Sequence, residues 1–336
     1  MQKDKQQVKV FVTREIPGVG IDLLRNEKFN VSVWPHERPM TAHELIEAGR
    51  TANAMLTLLT DRIDKTFLAE CRHLDIISQY AVGYDNIDIA EATRLGIPIG
   101  NAPGAMSDAT ADVAFGLMIA VSRKMFYMHK SIAKGEWTYF KPKANLGFEL
   151  KNKTLGIFGL GRIGMEMAIR CRGAYNMNII YHNRNQNAEA ERLLNARFVS
   201  FDELLRESDV LSVHSSLNAA NNGIFDKNAF SQMKPTSVFI NTARGSIHNE
   251  EDLLEALKQQ VIWGAGLDVT SPEPMSTNNL LLSMPNVAIL PHIGSATIEA
   301  RNEMSRLAAV NIVEFYKNNH VPNIVNREIM AAKNGQ

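Results

Sequence analysis

The feature of this sequence that most constrains its fold is the alternation of short apolar, β-rich runs with helical patterns along nearly the whole chain. Strand-like runs such as VKVFVT (8–13) and AMLTLL (54–59) are separated by helix-like stretches such as TAHELIEAG (41–49). Because a helical crossover follows each strand, neighbouring strands are expected to run parallel, with helices on both faces of the sheet. The predicted strands cover residues 8–13, 29–34, 54–59, 75–80, 97–101, 154–158, 178–182, 209–214, 237–242, 263–269 and 286–292. A longer helical region is predicted over about 107–134 and a last long helix over about 297–318.

The length of the chain, 336 residues, is more than one core usually holds and suits two domains. Turn-rich stretches at NAPGAMS (101–107) and PHIGSAT (291–297) are candidate crossings between these domains. We therefore predict an α/β fold with two doubly wound parallel-sheet domains. Residues 1–103 and 294–336 form one discontinuous domain, into which the other, 104–293, is inserted.

Composition limits the partners. Lys plus Arg and Asp plus Glu both number 36, so no net field attracts nucleic acid or an anionic membrane. The longest apolar run, VAFGLMIAV (113–121), is well short of the roughly 20 residues that span a bilayer. The N-terminal MQKDKQQ has no apolar signal region, and Cys71 and Cys171 have no metal-ligand spacing. These features predict a cytoplasmic protein with reduced, packed cysteines and no metal site.

The segment GLGRIG (159–164) predicts a dinucleotide-binding loop. A lone match to this pattern is weak, and an ordinary strand–helix turn is the simpler alternative. Here the motif follows the strand TLGIF (154–158) and opens the helical run RIGMEMAIRC (162–171), which is the context that such a loop requires. Its glycines allow a tight turn and a close backbone approach, with the helix N-terminus facing a pyrophosphate. The predicted cofactor contacts are Gly159, Gly161, Arg162, Ile163 and Gly164.

Asn183 and Arg184 bear on the choice of cofactor. Asn183 lies 19 positions after Gly164, about where an acidic residue accepts a hydrogen bond from the ribose of NAD. A carboxylate there would repel a 2′-phosphate, whereas an arginine pairs with it. The pair therefore favours NADP(H), with NAD(H) possible. The alternative is that Arg184 stacks on the adenine or lies in solvent while NAD binds.

Three reactive side chains follow predicted strands, at the sheet edge where ligands bind in open α/β sheets. They are Arg244, Glu273 and His292. Each has an ordinary alternative as a surface residue, but together they suit hydride transfer to a 2-keto acid. The histidine donates a proton to the carbonyl oxygen, a nearby carboxylate favours its protonated form, and the arginine holds the substrate carboxylate.

Further contacts are predicted around these groups. Asp268 would accept a hydrogen bond from the nicotinamide amide, and no water needs to be activated by a metal. In QYAVGYDNID (79–88), a helix start capped by Asp85 is predicted, and the amides of Val82 and Gly83 could bind a substrate carboxylate. A plain structural turn is an equal alternative for that stretch. Cofactor contacts are also predicted for Thr242, Ala243 and Gly294.

Together these motifs resemble those of the D-isomer-specific 2-hydroxyacid dehydrogenases, and most of all their glyoxylate/hydroxypyruvate reductase branch. The similarity covers nearly the whole chain and runs through YAVGYDNID, NAPGAMSDATADVAFGLM, GIFGLGRIG, YHNR, INTARGS, GAGLDV and LPHIGSAT. Several motifs in the same order are far more specific than one glycine loop.

The resemblance implies that Arg244, Glu273 and His292 are the catalytic Arg, Glu and His, and that Val82 and Gly83 belong to the substrate carboxylate loop. It also implies a Rossmann dinucleotide-binding domain inserted into a flavodoxin-like substrate domain. A homodimer built through the nucleotide domain is implied as well.

Some positions depart from the family pattern. In relatives, an aromatic segment before the glycine-rich strand can contribute to the neighbouring subunit's site, and here it reads GEWTYFKP (135–142). Phe140 stands where many relatives have Trp, so the resemblance does not fix the lining of the substrate pocket. HSSL (214–217) lacks a common proline, and Thr270 replaces a frequent Phe. None of these changes removes a predicted catalytic group.

The leading functional prediction is reduction of glyoxylate or hydroxypyruvate. Another D-2-hydroxy acid stays open, including 3-phosphoglycerate, although no basic cluster near AVGYD marks a phosphate pocket. A nicotinamide-sensing corepressor is the alternative from another class, since such proteins can retain similar catalytic residues. Formate oxidation is disfavoured because relatives with that activity pair the histidine with glutamine, whereas this chain has Glu273.

Overall fold

The computed structural model describes residues 7–329, so most of the N-terminal MQKDKQQ and all of the C-terminal AAKNGQ lie outside the described part. The chain forms two compact units. One comprises Met1–Met106 with Ala296–Gln336, and the other comprises Ser107–Ser295. Every ladder between named strands is parallel, which confirms the predicted fold class.

The first unit begins with five strands joined by helical crossovers. They are β1 (Lys9–Val12), α1 (Gly18–Asn26), β2 (Asn30–Val33), α2 (Ala42–Thr51), β3 (Ala54–Thr57), α3 (Lys65–Glu70), β4 (Ile76–Gln79), α4 (Ile89–Arg94) and β5 (Ile99–Gly100). The strand order in the sheet is β2-β1-β3-β4-β5. Val10 packs with Leu24 of α1 in one hydrophobic core, whereas Ile77 packs with Leu45 and Leu68 in a second. Apolar side chains therefore cover both faces of this sheet, as parallel sheets require.

The second unit starts with two helices and continues as a seven-stranded sheet. Its elements are α5 (Ser107–Ser122), α6 (Met125–Ala133), β6 (Thr154–Phe158), α7 (Arg162–Tyr175), β7 (Asn178–His182), α8 (Ala188–Leu194), β8 (Arg197–Phe198), α9 (Phe201–Glu207), β9 (Val210–Val213), α10 (Lys227–Gln232), β10 (Val238–Asn241), α11 (Glu250–Lys258), β11 (Gly264–Leu267) and β12 (Val287–Ile289), with 3-10 helices at Gly245–Ile247 and Leu280–Ser283. The strand order is β12-β11-β10-β9-β6-β7-β8. Along β10, Val238 and Ile240 enter one core and Phe239 enters the other, as the two-residue period of a strand requires.

Helix α12 (Ile298–Asn318) returns to the first unit and packs against α1. Ser305 on α12 accepts a hydrogen bond from the amide of Gly20 at 3.0 Å and donates one to the carbonyl of Pro17 at 2.7 Å. A Cβ atom on Gly20 would lie 2.2 Å from the Ser305 carbonyl oxygen. The close approach of the two helices therefore depends on a glycine at this position.

The structure differs from the sequence-based expectation in three local details. The helical region predicted over 107–134 consists of two helices, because Lys124 adopts a left-handed backbone with φ of 55° between α5 and α6. The two-residue strand β8 was missed, since so short a run carries no periodic signal. Asp85 does not cap α4; the cap is Asp88, whose side chain accepts from the amide of Glu91 at 2.9 Å.

Cys71 and Cys171 are free and buried, as predicted. Among the helices within residues 7–329, none is both long enough and apolar enough to cross a lipid bilayer.

The contact between α1 and α12 predicts a contrast between two glycines. Replacing Gly20 with Ala should lower the free energy of unfolding by about 1–3 kcal/mol, because the methyl group meets backbone that must shift. Gly173 of α7 offers a matched control, since within residues 7–329 nothing beyond its chain neighbours and the nearby backbone of its own helix lies within 4 Å of a Cβ atom placed there. Gly173→Ala should be neutral or stabilise by about 0.5–1 kcal/mol through helix propensity. Chemical denaturation measures both, and similar effects of the two substitutions would contradict the packing described.

Candidate active site

The glycine loop follows β6 and leads directly into α7, which is the context its sequence predicted. Gly159 has a positive φ of 95°, and a Cβ atom there would lie 2.5 Å from the backbone nitrogen of Ser215. A Cβ atom on Gly164 would lie 2.9 Å from the Gly159 carbonyl oxygen. The first glycine thus permits the turn, and the last permits α7 to pack against the strand.

The N-terminus of α7 is suited to bind an anion. Its cap residue is Gly161, so no side chain accepts a hydrogen bond from the first amides, whereas Ser200 does so for α9. In the described part of the chain, no atom other than those of its two neighbours in sequence lies within 4 Å of a Cβ atom placed on Gly161. Arg162 and Ile163 form the first helical turn, where the backbone amides and the helix dipole favour negative charge. The loop and helix therefore fit the pyrophosphate of a dinucleotide.

The side chain of Asn183 forms hydrogen bonds with the backbone of the glycine loop. Its Oδ1 accepts a hydrogen bond from the amide of Leu160 at 2.6 Å, and its Nδ2 donates to the carbonyl of Leu160 at 3.2 Å. Asn187 donates to the same carbonyl at 3.2 Å. Asn183 therefore holds the loop in shape, which the sequence did not indicate. Arg184 follows it and is exposed beyond the end of β7.

His292 and Glu273 meet in the structure. The Nδ1 atom of His292 lies 3.0 Å from Oε2 of Glu273, and the other carboxylate oxygen accepts from the amide of Thr270 at 3.0 Å. With Nδ1 bonded to the carboxylate, Nε2 is the ring nitrogen that can act on a substrate. His292 has a φ of 56°, an uncommon conformation for a residue with a side chain, and such outliers cluster at functional sites.

The charge of Arg244 acts on the same carboxylate. Burial by itself would raise the pKa of Glu273, but the hydrogen bond and charge of His292, the Thr270 amide and the charge of Arg244 together lower it below the usual value. Glu273 is therefore an anion at neutral pH, and its negative charge lies beside Nδ1 of the imidazole. The structure thus brings together the three side chains that were predicted to be catalytic.

Asp268 fixes the backbone that follows His292. It is only 1% exposed, and its two carboxylate oxygens accept hydrogen bonds from the amides of Ile293 at 2.8 Å and Gly294 at 2.7 Å. Thr110 donates to the carbonyl of Gly294 at 3.2 Å. Burial raises the pKa of Asp268, and the two amide bonds oppose that effect. Both oxygens of the Asp268 carboxylate already accept hydrogen bonds from the His292 loop. The predicted bond from the nicotinamide amide would therefore be an additional one to the same carboxylate.

The remaining predicted residues lie in two places. Thr242 is buried beside His214, with 3.4 Å between its Oγ1 and the imidazole Nδ1, and Ala243 follows it. Val82 and Gly83 belong to the first unit, in the loop after β4. The carbonyl of Val82 accepts from the side chain of Asn101 at 2.9 Å.

Two polar residues next to Arg244 had no predicted role. Asn241 ends β10 and is fully buried, and its Nδ2 lies 3.0 Å from Nδ1 of His248, which is 2% exposed. An asparagine at a strand end suggests a turn, which was the only sequence signal for this pair. Burial lowers the pKa of His248 to about 4, so its imidazole is neutral at physiological pH.

Metal ligands are not grouped in the part of the chain that the structure describes. Within residues 7–329, no three His, Cys, Asp or Glu side chains are placed to hold one ion.

Comparisons with known proteins agree over nearly the whole chain. Residues 115–294 match the family model of the D-isomer specific 2-hydroxyacid dehydrogenase, NAD binding domain. A glyoxylate reductase of Thermococcus litoralis is 43% identical over 329 residues, which cover 96% of this chain and 98% of that protein. A solved glyoxylate reductase from Paecilomyes thermophila has a TM-score of 0.86 at 33% identity, over 96% of this chain and 99% of its own. An NADPH-dependent glyoxylate/hydroxypyruvate reductase from Sinorhizobium meliloti, in complex with NADP and malonate, has a TM-score of 0.81 at 28% identity, over 95% of this chain and 97% of its own.

The buried neutral His248 predicts a specific pH dependence of stability. Its pKa is about 4 in the folded protein and about 6.5 in an unfolded chain. Since the unfolded state binds this proton first, its uptake destabilises the fold progressively as pH falls from about 7 towards about 4. Between pH 7 and pH 5 the wild type should lose about 2 kcal/mol more unfolding free energy than His248→Leu.

Urea denaturation at the two pH values measures this difference. Replacing the exposed His43 of α2 with Ala is the control, and should leave the wild-type pH dependence in place. If His248→Leu and the wild type lose stability in parallel, His248 is not a buried neutral imidazole.

Proposed function

This chain belongs to the D-isomer specific 2-hydroxyacid dehydrogenases, as its motifs predicted, and is an NAD(P)-dependent oxidoreductase; from this premise we propose that it reduces glyoxylate, and also hydroxypyruvate, with NADPH. The product is the corresponding 2-hydroxy acid. The observation that carries the proposal is the pairing of His292 with Glu273 beside the charge of Arg244. This arrangement supplies a proton donor, its anionic partner and a carboxylate-binding cation on one sheet edge.

Proton transfer is the role that we assign to His292. When bound, the reduced nicotinamide supplies a hydride to the carbonyl carbon of the keto acid. Negative charge then builds on the carbonyl oxygen, and the protonated His292 donates its Nε2 proton to that oxygen. Glu273 stays ionised throughout and holds Nδ1, so the ring keeps its orientation as it loses the proton.

Substrate orientation is the role that we assign to Arg244. A guanidinium can hold a carboxylate through paired, charge-assisted hydrogen bonds and so fix the carbonyl for attack. We propose that the amides of Val82 and Gly83 bind a substrate carboxylate. Asp268, Thr242, Ala243 and Gly294 are proposed to line the nicotinamide end of the cofactor site.

The preference for NADPH rests on the end of β7. Arg184 is exposed there, and its charge would pair with a 2′-phosphate. Asn183 adds no negative charge that would repel the phosphate, and its amide is engaged with Leu160. Two solved relatives support this preference, a reductase described as NADPH-dependent and an imino acid reductase in complex with NADPH.

We assign nucleotide binding to the inserted domain, 104–293, and the substrate carboxylate loop to the discontinuous domain, 1–103 with 294–336. A homodimer is proposed as the working form. Its support is the segment after α6, in which Trp137 is 73% exposed, Tyr139 67% and Phe140 84%, since exposed aromatic clusters mark interaction surfaces. We place the protein in the cytoplasm, where its two free, buried cysteines stay reduced.

Initial rates test this function directly. The purified protein would be given glyoxylate or hydroxypyruvate with either NADPH or NADH. A higher kcat/KM with NADPH supports the proposal. Turnover with NADH alone would support reduction of the keto acid but contradict the proposed role of Arg184 in binding a 2′-phosphate. Turnover of neither keto acid would reject the proposed substrates.

The role of Arg184 predicts a change confined to the cofactor. Arg184→Ala should raise the KM for NADPH by about tenfold or more, since a charge-assisted contact of roughly 1.5–3 kcal/mol is lost. The kcat should change little, because this contact is remote from the reacting atoms. The exposed Arg206 of α9, changed to Ala, is the control and should leave both constants near wild type. An unchanged KM for NADPH in Arg184→Ala would remove this residue from the phosphate site.

The role of His292 predicts a loss of chemistry without a loss of cofactor binding. His292→Ala should lower kcat by a factor on the order of 100 to 10,000, the range that general acids contribute. NADPH binding, followed by its fluorescence, should persist. His43→Ala provides the matched histidine control. Near-normal turnover in His292→Ala would refute the acid role.

A further inference from the structure

The loop that carries Arg244 is held by the amide of Ile247, which donates to the Arg244 carbonyl at 3.2 Å, and by the buried side chain of Asn241. Its Oδ1 accepts a hydrogen bond from the amide of Ala243 at 2.9 Å, and its Nδ2 donates to the carbonyl of Arg244 at 2.9 Å. One side-chain amide therefore contacts both the backbone N–H of Ala243 and the backbone carbonyl of Arg244. The guanidinium of Arg244 in turn donates through Nη1 to the carbonyl of Ala243 at 2.8 Å.

The two backbone contacts also decide which way the Asn241 amide faces. Its oxygen must face the N–H of Ala243, and its nitrogen must face the carbonyl of Arg244. The same nitrogen lies 3.0 Å from Nδ1 of His248. Since a side-chain NH₂ group only donates, Nδ1 of His248 must accept, and the ring proton sits on Nε2.

The proton on Nε2 of His248 lowers the stability of the folded protein. Nε2 of His248 is buried and has no hydrogen-bond partner among residues 7–329. A buried donor without a partner is destabilising, so an apolar side chain of similar size would suit the packing better. Unlike an apolar side chain, the imidazole provides a hydrogen-bond acceptor, Nδ1, for the Asn241 amide.

His248 is itself anchored by neighbouring backbone. The amide of Phe225 donates to the carbonyl of Ile247 at 3.2 Å, and the amide of Asn249 donates to the carbonyl of Phe225 at 3.0 Å. These bonds hold the residues on both sides of His248 against Phe225, and the amide of His248 also donates to the carbonyl of Gly245 at 3.1 Å. The backbone of His248 is therefore anchored, and its Nδ1 is a fixed acceptor for the Asn241 amide.

We propose that His248 and Asn241 are positioning residues, which together set the direction in which Arg244 presents its guanidinium to the substrate carboxylate. The inference rests on the proposed function, because it assigns a purpose to Arg244 within that reaction. His248 acts only through Asn241, and neither residue touches the substrate. Loss of the Nδ1 acceptor leaves the Asn241 amide with its two backbone contacts alone, so the backbone of Ala243 and Arg244 is held less firmly.

Two substitutions of His248 separate positioning from packing. His248→Leu fills similar space but cannot accept a hydrogen bond, whereas His248→Asn places an amide oxygen near the former Nδ1. His248→Leu should lower kcat/KM for glyoxylate by about ten- to hundredfold, the scale of a displacement of about 1 Å. The loss should appear in the KM for glyoxylate and leave the KM for NADPH unchanged. His248→Asn should stay near wild type.

Stability should follow the opposite order. His248→Leu removes the unpaired Nε2 donor and should unfold at the same or a higher urea concentration than His248→Asn. Asn326→Ala is the matched control, because Asn326 is a buried asparagine that accepts from the amide of Ile99 at 2.8 Å and donates to the carbonyl of Ile97 at 3.0 Å. This control should lose stability without a selective rise in the KM for glyoxylate.

Hydrogen exchange gives a readout that does not depend on the substrate. In peptides covering residues 241–248, exchange should be faster in His248→Leu than in His248→Asn or the wild type. Unchanged exchange in His248→Leu, or equal kcat/KM for the Leu and Asn variants, would overturn the inference. If the wild type turns over neither keto acid, the proposed function fails, and the exchange comparison still decides whether His248 holds this loop.

Discussion

Parallel pairing of the seven strands in the second unit brings their carboxyl ends to one edge of the sheet. Arg244, Glu273 and His292 follow different strands and are separated in sequence, yet they act on one another because of this constraint. The glycine loop follows a fourth strand at the same edge. The fold thus brings these side chains to one edge of the sheet, and the local backbone orients each of them.

The orientation of the loops that carry His292 and Arg244 depends on buried polar side chains. Burial of such side chains is unfavourable unless they form hydrogen bonds. Burial opposes the charge on Asp268, but two backbone amides hold its carboxylate and thereby hold the loop of His292. The left-handed backbone of His292 is maintained within this frame. Asn241 serves the Arg244 loop in the same manner, through one donor and one acceptor on the backbone. In both loops a buried polar side chain holds the backbone next to a candidate catalytic residue.

The sequence predicted most of what depends on periodicity and on strand ends. The alternation of strands and helices, the glycine loop and the three catalytic candidates could all be recognised before any coordinates. The break at Lys124 could not, because only tertiary packing decides that a residue adopts a positive φ inside an apolar helical run. The bonds of Asn183 to Leu160 and of Asn241 to His248 were missed for a related reason. Each joins positions whose spacing fits no periodic pattern, so only the folded backbone shows that they meet.

The central claim is that this site transfers hydride from a reduced nicotinamide to the carbonyl carbon of glyoxylate. Its most direct test uses NADPH with deuterium at both C4 positions, and mass spectrometry of the glycolate that forms. Hydride transfer predicts one deuterium on C2 of glycolate for each NADPH consumed. Glycolate without deuterium, or consumption of NADPH without glycolate, would contradict the account.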